Sequence, residues 1–118
     1  MSVNRLGRVL SLLAALTAAA QMRPTAAQFM QAMNGSMERM DRQMMTAPMN
    51  GTVDHDFASM MIPHHQGAID MAKAELIYGK DPVIRRLAQE ILVDQQSEID
   101  AMKLWLEKTP AANSQKER

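Results

Sequence analysis

The middle of the sequence contains two methionine–histidine pairs with a four-residue spacing, Met60–His64 and Met61–His65. Residues four apart meet on the surface of an α-helix, so each pair brings a thioether sulfur beside an imidazole nitrogen. These ligands suit copper, and thioethers favour the softer Cu(I). The spacing therefore predicts either two sites for copper(I) or silver(I), or one site completed by sulfurs from elsewhere in the chain.

Methionine is abundant throughout, at 13 of 118 residues. This exceeds what gap-filling in a core needs, because methionine is flexible and specifies packing poorly. One group follows the three- and four-residue spacing of a helix seam: Met30, Met33, Met37, Met40 and Met44. Such a stripe is compatible with both a hydrophobic core and ion binding. We therefore treat four methionines as accessory ligands: Met37, Met40, Met44 and Met45.

On a helix, Met60, His64 and Met71 fall within a sector of about 60°, and His65 borders a separate apolar stripe. His55 lies near the predicted start of this helix, where the dipole disfavours a charged imidazole. A neutral ring that binds metal or forms a hydrogen bond is then expected. Imidazole binds metal only when neutral, so the histidine contribution should weaken in acid.

Two polar residues near the C-terminal apolar face could support the histidines. Gln95 lies at the middle of that face, with Glu98 and Met102 beside it. A buried polar group needs a partner, so Gln95 or Glu98 could orient His64 or His65 through the ring nitrogen that does not bind metal. A hydrogen bond between helices without any metal is the alternative.

Composition excludes several classes of function. The absence of cysteine excludes disulfides, thiolate zinc sites, iron–sulfur clusters and covalent haem. With 13 basic and 13 acidic residues and no basic stripe, nucleic-acid binding is not expected. Few aromatic residues disfavour a haem pocket, and the absence of Glu-x-x-His disfavours a di-iron enzyme. A structural helical module with a methionine-rich core remains as the alternative function.

Periodicity predicts three helices and no strands. The first covers residues 27–46, and Pro48 with the Asn50-Gly51 pair ends it. The second begins at a cap at Thr52 or Asp54 and runs to about residue 78, with a kink at Pro63. The third begins with Asp81 as cap and Pro82 in the first turn, and runs to about residue 106.

The N-terminus is typical of a Sec-type signal peptide. Arg5 and Arg8 precede a short apolar run and the small residues at 18–20. This run is shorter than the roughly 20 residues that a stable transmembrane helix needs, although an uncleaved anchor is the alternative. The predicted organisation is a signal peptide over 1–20 (cleaved as late as Ala27), a Met-rich helix and loop over 21–52, a His/Met metal-binding domain over 53–107 and a disordered tail over 108–118.

The segment from His55 to Ala72, with its Met-Met-Ile-Pro-His-His core, resembles the signature of a bacterial family catalogued as a domain of unknown function, which includes the periplasmic copper metallochaperone CopM. The later run from Leu87 to Leu106 is also similar, so the resemblance covers about residues 53–107 and leaves the Met-rich segment outside. It implies a ferritin-like helical bundle, export, and Cu(I) or Ag(I) binding. Carried over by position, it implies these ligands: His55, Met60, Met61, His64, His65, Met71 and Met102.

These observations predict an exported all-α protein that binds copper, as a metallochaperone or sequestering agent, without a catalytic step. A protein that donates or accepts copper is its expected partner. Ferritin-like bundles have four helices and this chain supplies three, so a second copy could supply the fourth.

Overall fold

The computed structural model describes residues 25–109, which form three α-helices and no strand. These are α1 (Ala26–Met45), α2 (Val53–Tyr78) and α3 (Pro82–Lys108). The central helix α2 packs against both others, whereas within this part of the chain no Cα atom of α1 lies within 8 Å of a Cα atom of α3. The predicted all-α, small-bundle fold is confirmed, and a fourth helix from a second copy stays a prediction.

The predicted helix boundaries are close to those observed. Asp81 caps α3 by accepting hydrogen bonds from the amides of Val83 (2.9 Å) and Ile84 (3.0 Å). At the start of α1, Thr25 and Gln28 form a reciprocal capping box. The signal peptide predicted over residues 1–20 lies outside the described residues, as do residues 110–118 of the predicted tail.

The start of α2 departs from the expected capping. Thr52 has the extended backbone of an N-cap, but its side chain accepts no hydrogen bond from the helix. Instead, the carboxylate of Asp56 reaches back and accepts from the amides of Asn50 (2.8 Å) and Gly51 (3.2 Å). The bond from Asn50, followed by one from the His55 side chain, holds the pKa of Asp56 below its ordinary value. Asp56 thus ties the preceding loop to the first turn of α2.

The core of the described region is thin and consists mainly of alanine. Its buried apolar residues are Ala58, Ile69, Ala72, Ala74, Ala88 and Ile99. Ile99 is the one large side chain among them that is fully buried. On α1 the one buried residue is Ser36, whose hydroxyl donates to the carbonyl of Ala32. The large apolar residues of α1 that face α2, such as Phe29 and Met40, are therefore only half-buried.

The methionine seam predicted on α1 is divided between the helix contact and its edge. Met33, Met40 and Met44 are half-buried, and Met40 packs on α2, whereas Met30 and Met37 are 51% and 39% exposed. The contact also includes Ser36 and Phe29, whose ring is 6.3 Å from that of Tyr78. The contact face is therefore rotated from the predicted seam, which leaves Met30 and Met37 at its edge.

Replacing Asp56 with alanine should lower the melting temperature near neutral pH, because two loop amides lose their acceptor. With a lowered folded-state pKa, the stabilisation by Asp56 is present above the ordinary carboxyl pKa and is lost as pH falls through the folded-state value. The difference between wild type and variant should therefore shrink in thermal melts taken from about pH 7 to about pH 3. Asp54→Ala, in the same helical turn, controls for the helix dipole. An equal loss in both variants would contradict the role of the loop bonds.

Candidate metal centre

His65 lies at the contact between α2 and α3, with its side chain 14% exposed. Its Nε2 is 2.5 Å from Oε2 of Glu98. An ionised carboxylate can only accept, so a neutral His65 donates through Nε2 and keeps a lone pair on Nδ1. That Nδ1 is buried and has no hydrogen-bond partner within residues 25–109. An unpaired buried nitrogen is costly, and a bound cation would satisfy it.

Two methionines lie one helical turn from this hydrogen bond, both on the same side of it. Met61 is one turn before His65, and Met102 is one turn after Glu98. The two helices run antiparallel, since a hollow of about 360 Å³ near the start of α2 is lined by residues near the end of α3, including Met102. Met61 and Met102 therefore lie level with each other, and both are half-buried. We call Met61, His65, Glu98 and Met102 the α2–α3 cluster.

The second methionine–histidine pair lies toward α1. Met60, His64 and Met71 share a sector of about 60° with Gly67, and Gly67 contacts Met40 of α1. His64 is exposed, whereas Met60 and Met71 are half-buried. We call Met40, Met60, His64 and Met71 the α1–α2 cluster. The rings of His64 and His65 are 5.9 Å apart, so the two clusters adjoin.

Some predicted site residues lie apart from both clusters. His55 is about 180° around α2 from His64, and its Nδ1 is 3.1 Å from Oδ1 of Asp56. Met45, at the end of α1, is 86% exposed. Gln95 is half-buried one turn before Glu98. Of these two residues, Glu98 is the one that accepts the hydrogen bond from His65.

Gly67 is a site residue for which sequence analysis gave no role. Its signal was a glycine inside a strongly predicted helix, midway between His64 and Met71, where such a residue usually has a packing reason. That reason is the contact with Met40.

Acidic residues do not complete a histidine site in the described region. No group of three or more His, Cys, Asp or Glu side chains there is arranged to hold a metal ion.

Within residues 25–109, none of the three helices has the length and apolar character needed to cross a membrane.

The fold and the clusters define residues 25–109 as a three-helix unit whose central helix carries methionine–histidine pairs toward both neighbours. The chain belongs to the family described as Domain of unknown function (DUF305), whose model matches residues 4–106. Membership in a family of unknown function is thus confirmed, and the match is wider than the predicted 53–107. The expectation that the Met-rich segment lies outside the family region was wrong, since the match includes α1.

A curated relative gives no functional description. The chain is similar to "Uncharacterized protein L153" of Acanthamoeba polyphaga mimivirus, with 40% identity over 60 residues. The match covers 51% of this chain and 40% of the relative, so the chain spans well under half of that protein's length.

A double-mutant cycle with His65→Ala and Glu98→Ala should give a coupling of about 0.5–1 kcal/mol in urea unfolding. We expect a value in this range because Glu98 is 59% exposed, and solvent screening reduces a charge-assisted bond. The matched control pairs His65→Ala with Gln95→Ala, whose effects should be additive. A coupling of zero between His65 and Glu98 would rule out a direct stabilising bond.

Proposed function

We propose that this chain is an exported protein that binds copper(I), and also silver(I), through methionine sulfur and histidine nitrogen. It acts as a metallochaperone or sequestering agent in copper homeostasis and has no catalytic step of its own. The observation that carries the proposal is the buried, unpartnered Nδ1 of His65, with Met61 and Met102 level with each other one turn away.

The donor set of the α2–α3 cluster favours a soft monovalent ion. Two thioethers and a neutral imidazole are uncharged ligands, and sulfur selects Cu(I) over harder cations. Glu98, hydrogen-bonded to His65, would increase the basicity of the ring and supply one negative charge near the ion. A monovalent cation is then balanced in a half-buried setting, whereas a divalent cation would leave an uncompensated charge.

Delivery to a protein partner is supported by the surface next to the cluster. The hollow bordered by Met102 also contains Phe57 and Trp105, which are 62% and 39% exposed. Exposed apolar surface of this kind is typical of interaction sites. A copper donor or acceptor docked there would lie directly beside the proposed ligands.

Export is supported by the basic, apolar and small-residue pattern of residues 1–20. The absence of cysteine fits the same compartment, because thioether ligands are not lost to disulfides where thiols would be.

Titration of the protein with Ag(I), followed by calorimetry, tests the metal site. Met61→Leu and Met102→Leu remove sulfur while nearly conserving volume, and each should weaken binding by at least about tenfold, as should Glu98→Ala. Met49→Leu, in the loop before α2, is the control and should bind as wild type does. X-ray absorption with Cu(I) should show sulfur and nitrogen ligands together. Unchanged binding after combining Met61→Leu, Met102→Leu and His65→Ala would refute this site, whereas absence of Ag(I) binding by wild type would favour the structural-module alternative.

A fusion of residues 1–30 to a reporter that is active only outside the cytoplasm tests export. We expect activity that is reduced when Arg5 and Arg8 are both replaced by glutamate, because the basic start orients the signal. Equal inactivity of both fusions would place the protein inside the cell.

A further inference from the structure

We propose a second soft-metal site, formed by the α1–α2 cluster around Gly67, whose occupation fastens α1 to the rest of the protein. The choice of ion rests on the proposed function. The location of the site rests on a separate observation, which is the close packing of Met40 on the backbone of α2.

Gly67 has no side chain, and this leaves a notch in the surface of α2 that the side chain of Met40 fills. A Cβ at position 67 would lie 2.6 Å from Sδ of Met40 and 2.9 Å from its Cβ and Cγ. Atoms of this size do not approach so closely, so any larger residue would push α1 away. Glycine weakens a helix interior, and α2 nevertheless has glycine at this buried position. The notch therefore places one thioether of α1 against the surface of α2.

Imidazole and thioether ligands lie on both sides of that sulfur. His64 is three residues before Gly67 and Met71 is four residues after it, so both are on the adjacent turns of the same face. Met40 thus sits between them, and the three side chains offer two sulfurs and one nitrogen from two helices. His64 is exposed, which gives an ion access from solvent.

The register of α1 brings further sulfurs to this rim. The helices run antiparallel, because Met40 meets Gly67 whereas Phe29 meets Tyr78. Counting from these contacts, Met44 lies level with His64, and Met37 lies level with Met71. These methionines could exchange places with Met40 as ligands.

The cation next to Met40 in the sequence, Arg39, is directed away from the cluster. Arg39 pairs with Asp70 at 3.7 Å, and Asp70 is about 120° around α2 from His64. The charge of Arg39 is therefore partly neutralised, and it lies on the side of the helix contact away from His64.

An ion shared by both helices would hold α1 in place. Apart from Met40 in its notch, α1 contributes one buried residue, Ser36, and within the described chain it has α2 as its one helical neighbour. The contact of Phe29 with Tyr78 and the Arg39–Asp70 ion pair also join α1 to α2. An ion bound by Met40 of α1 and by His64 and Met71 of α2 would add a further tie between the two helices. Metal loading would then be coupled to the docking of α1.

Met40→Leu tests the bridge, because it removes the sulfur, leaves the notch filled and avoids the clash of a substitution at Gly67. Wild type should bind two Ag(I) ions, and Ag(I) should slow amide hydrogen exchange in α1. In Met40→Leu we expect at least about tenfold weaker binding of one ion, with the protection of α1 lost. Met49→Leu should behave as wild type. Unchanged stoichiometry and unchanged protection in Met40→Leu would overturn the proposal.

A variant lacking the other site separates this proposal from the general one. Met61→Leu combined with His65→Ala should still bind one ion and still protect α1. If wild type binds no Ag(I), the proposed function fails. If wild type binds one ion that is lost in this double variant but kept in Met40→Leu, the proposed function stands and the bridge is wrong.

Discussion

The hydrogen bond from Nε2 of His65 to Glu98 is the interaction on which the proposed metal chemistry depends. It joins α2 to α3 at one level, which brings Met61 and Met102 to the same height. It also fixes the position of the imidazole proton, because a carboxylate accepts and does not donate. Nδ1 is thereby left with its lone pair inside the helix contact. This polar contact thus agrees with the register of the two helices and accounts for the tautomer and for the unpaired nitrogen.

The adjacent residues Met60-Met61 and His64-His65 face the two helices that pack against α2. Consecutive residues on a helix differ by about 100°, so Met60 and His64 turn toward α1 whereas Met61 and His65 turn toward α3. Because α2 packs against both other helices, the adjacent residues place one methionine and one histidine toward each of them.

Local signals predicted the helices well, and the tertiary contacts less well. Asp81 and Pro82 mark a helix start by chemistry that acts within a few residues, and α3 begins there. The angle between Met60 and Met61 follows from helix geometry alone, but which helix each one faces does not. The exposure of Met30 and Met37 was missed because hydrophobicity treats the methionines of the seam alike, whereas the contact also includes the small Ser36. The role of Asp56 depends on a loop conformation that no spacing encodes, and the notch at Gly67 depends on a partner 27 positions earlier in the sequence.

The order in which the helices pack also affects how the chain can fold. In the described region, every pair of helices with Cα atoms within 8 Å of each other is consecutive in sequence. Chains dominated by such near-neighbour contacts have low contact order and fold fast, because little loop-closure entropy is lost before packing begins. Each helix can dock on its predecessor as soon as it is made, without waiting for the C-terminus. A chain that is released from its N-terminus to its C-terminus could therefore pack its helices one after another.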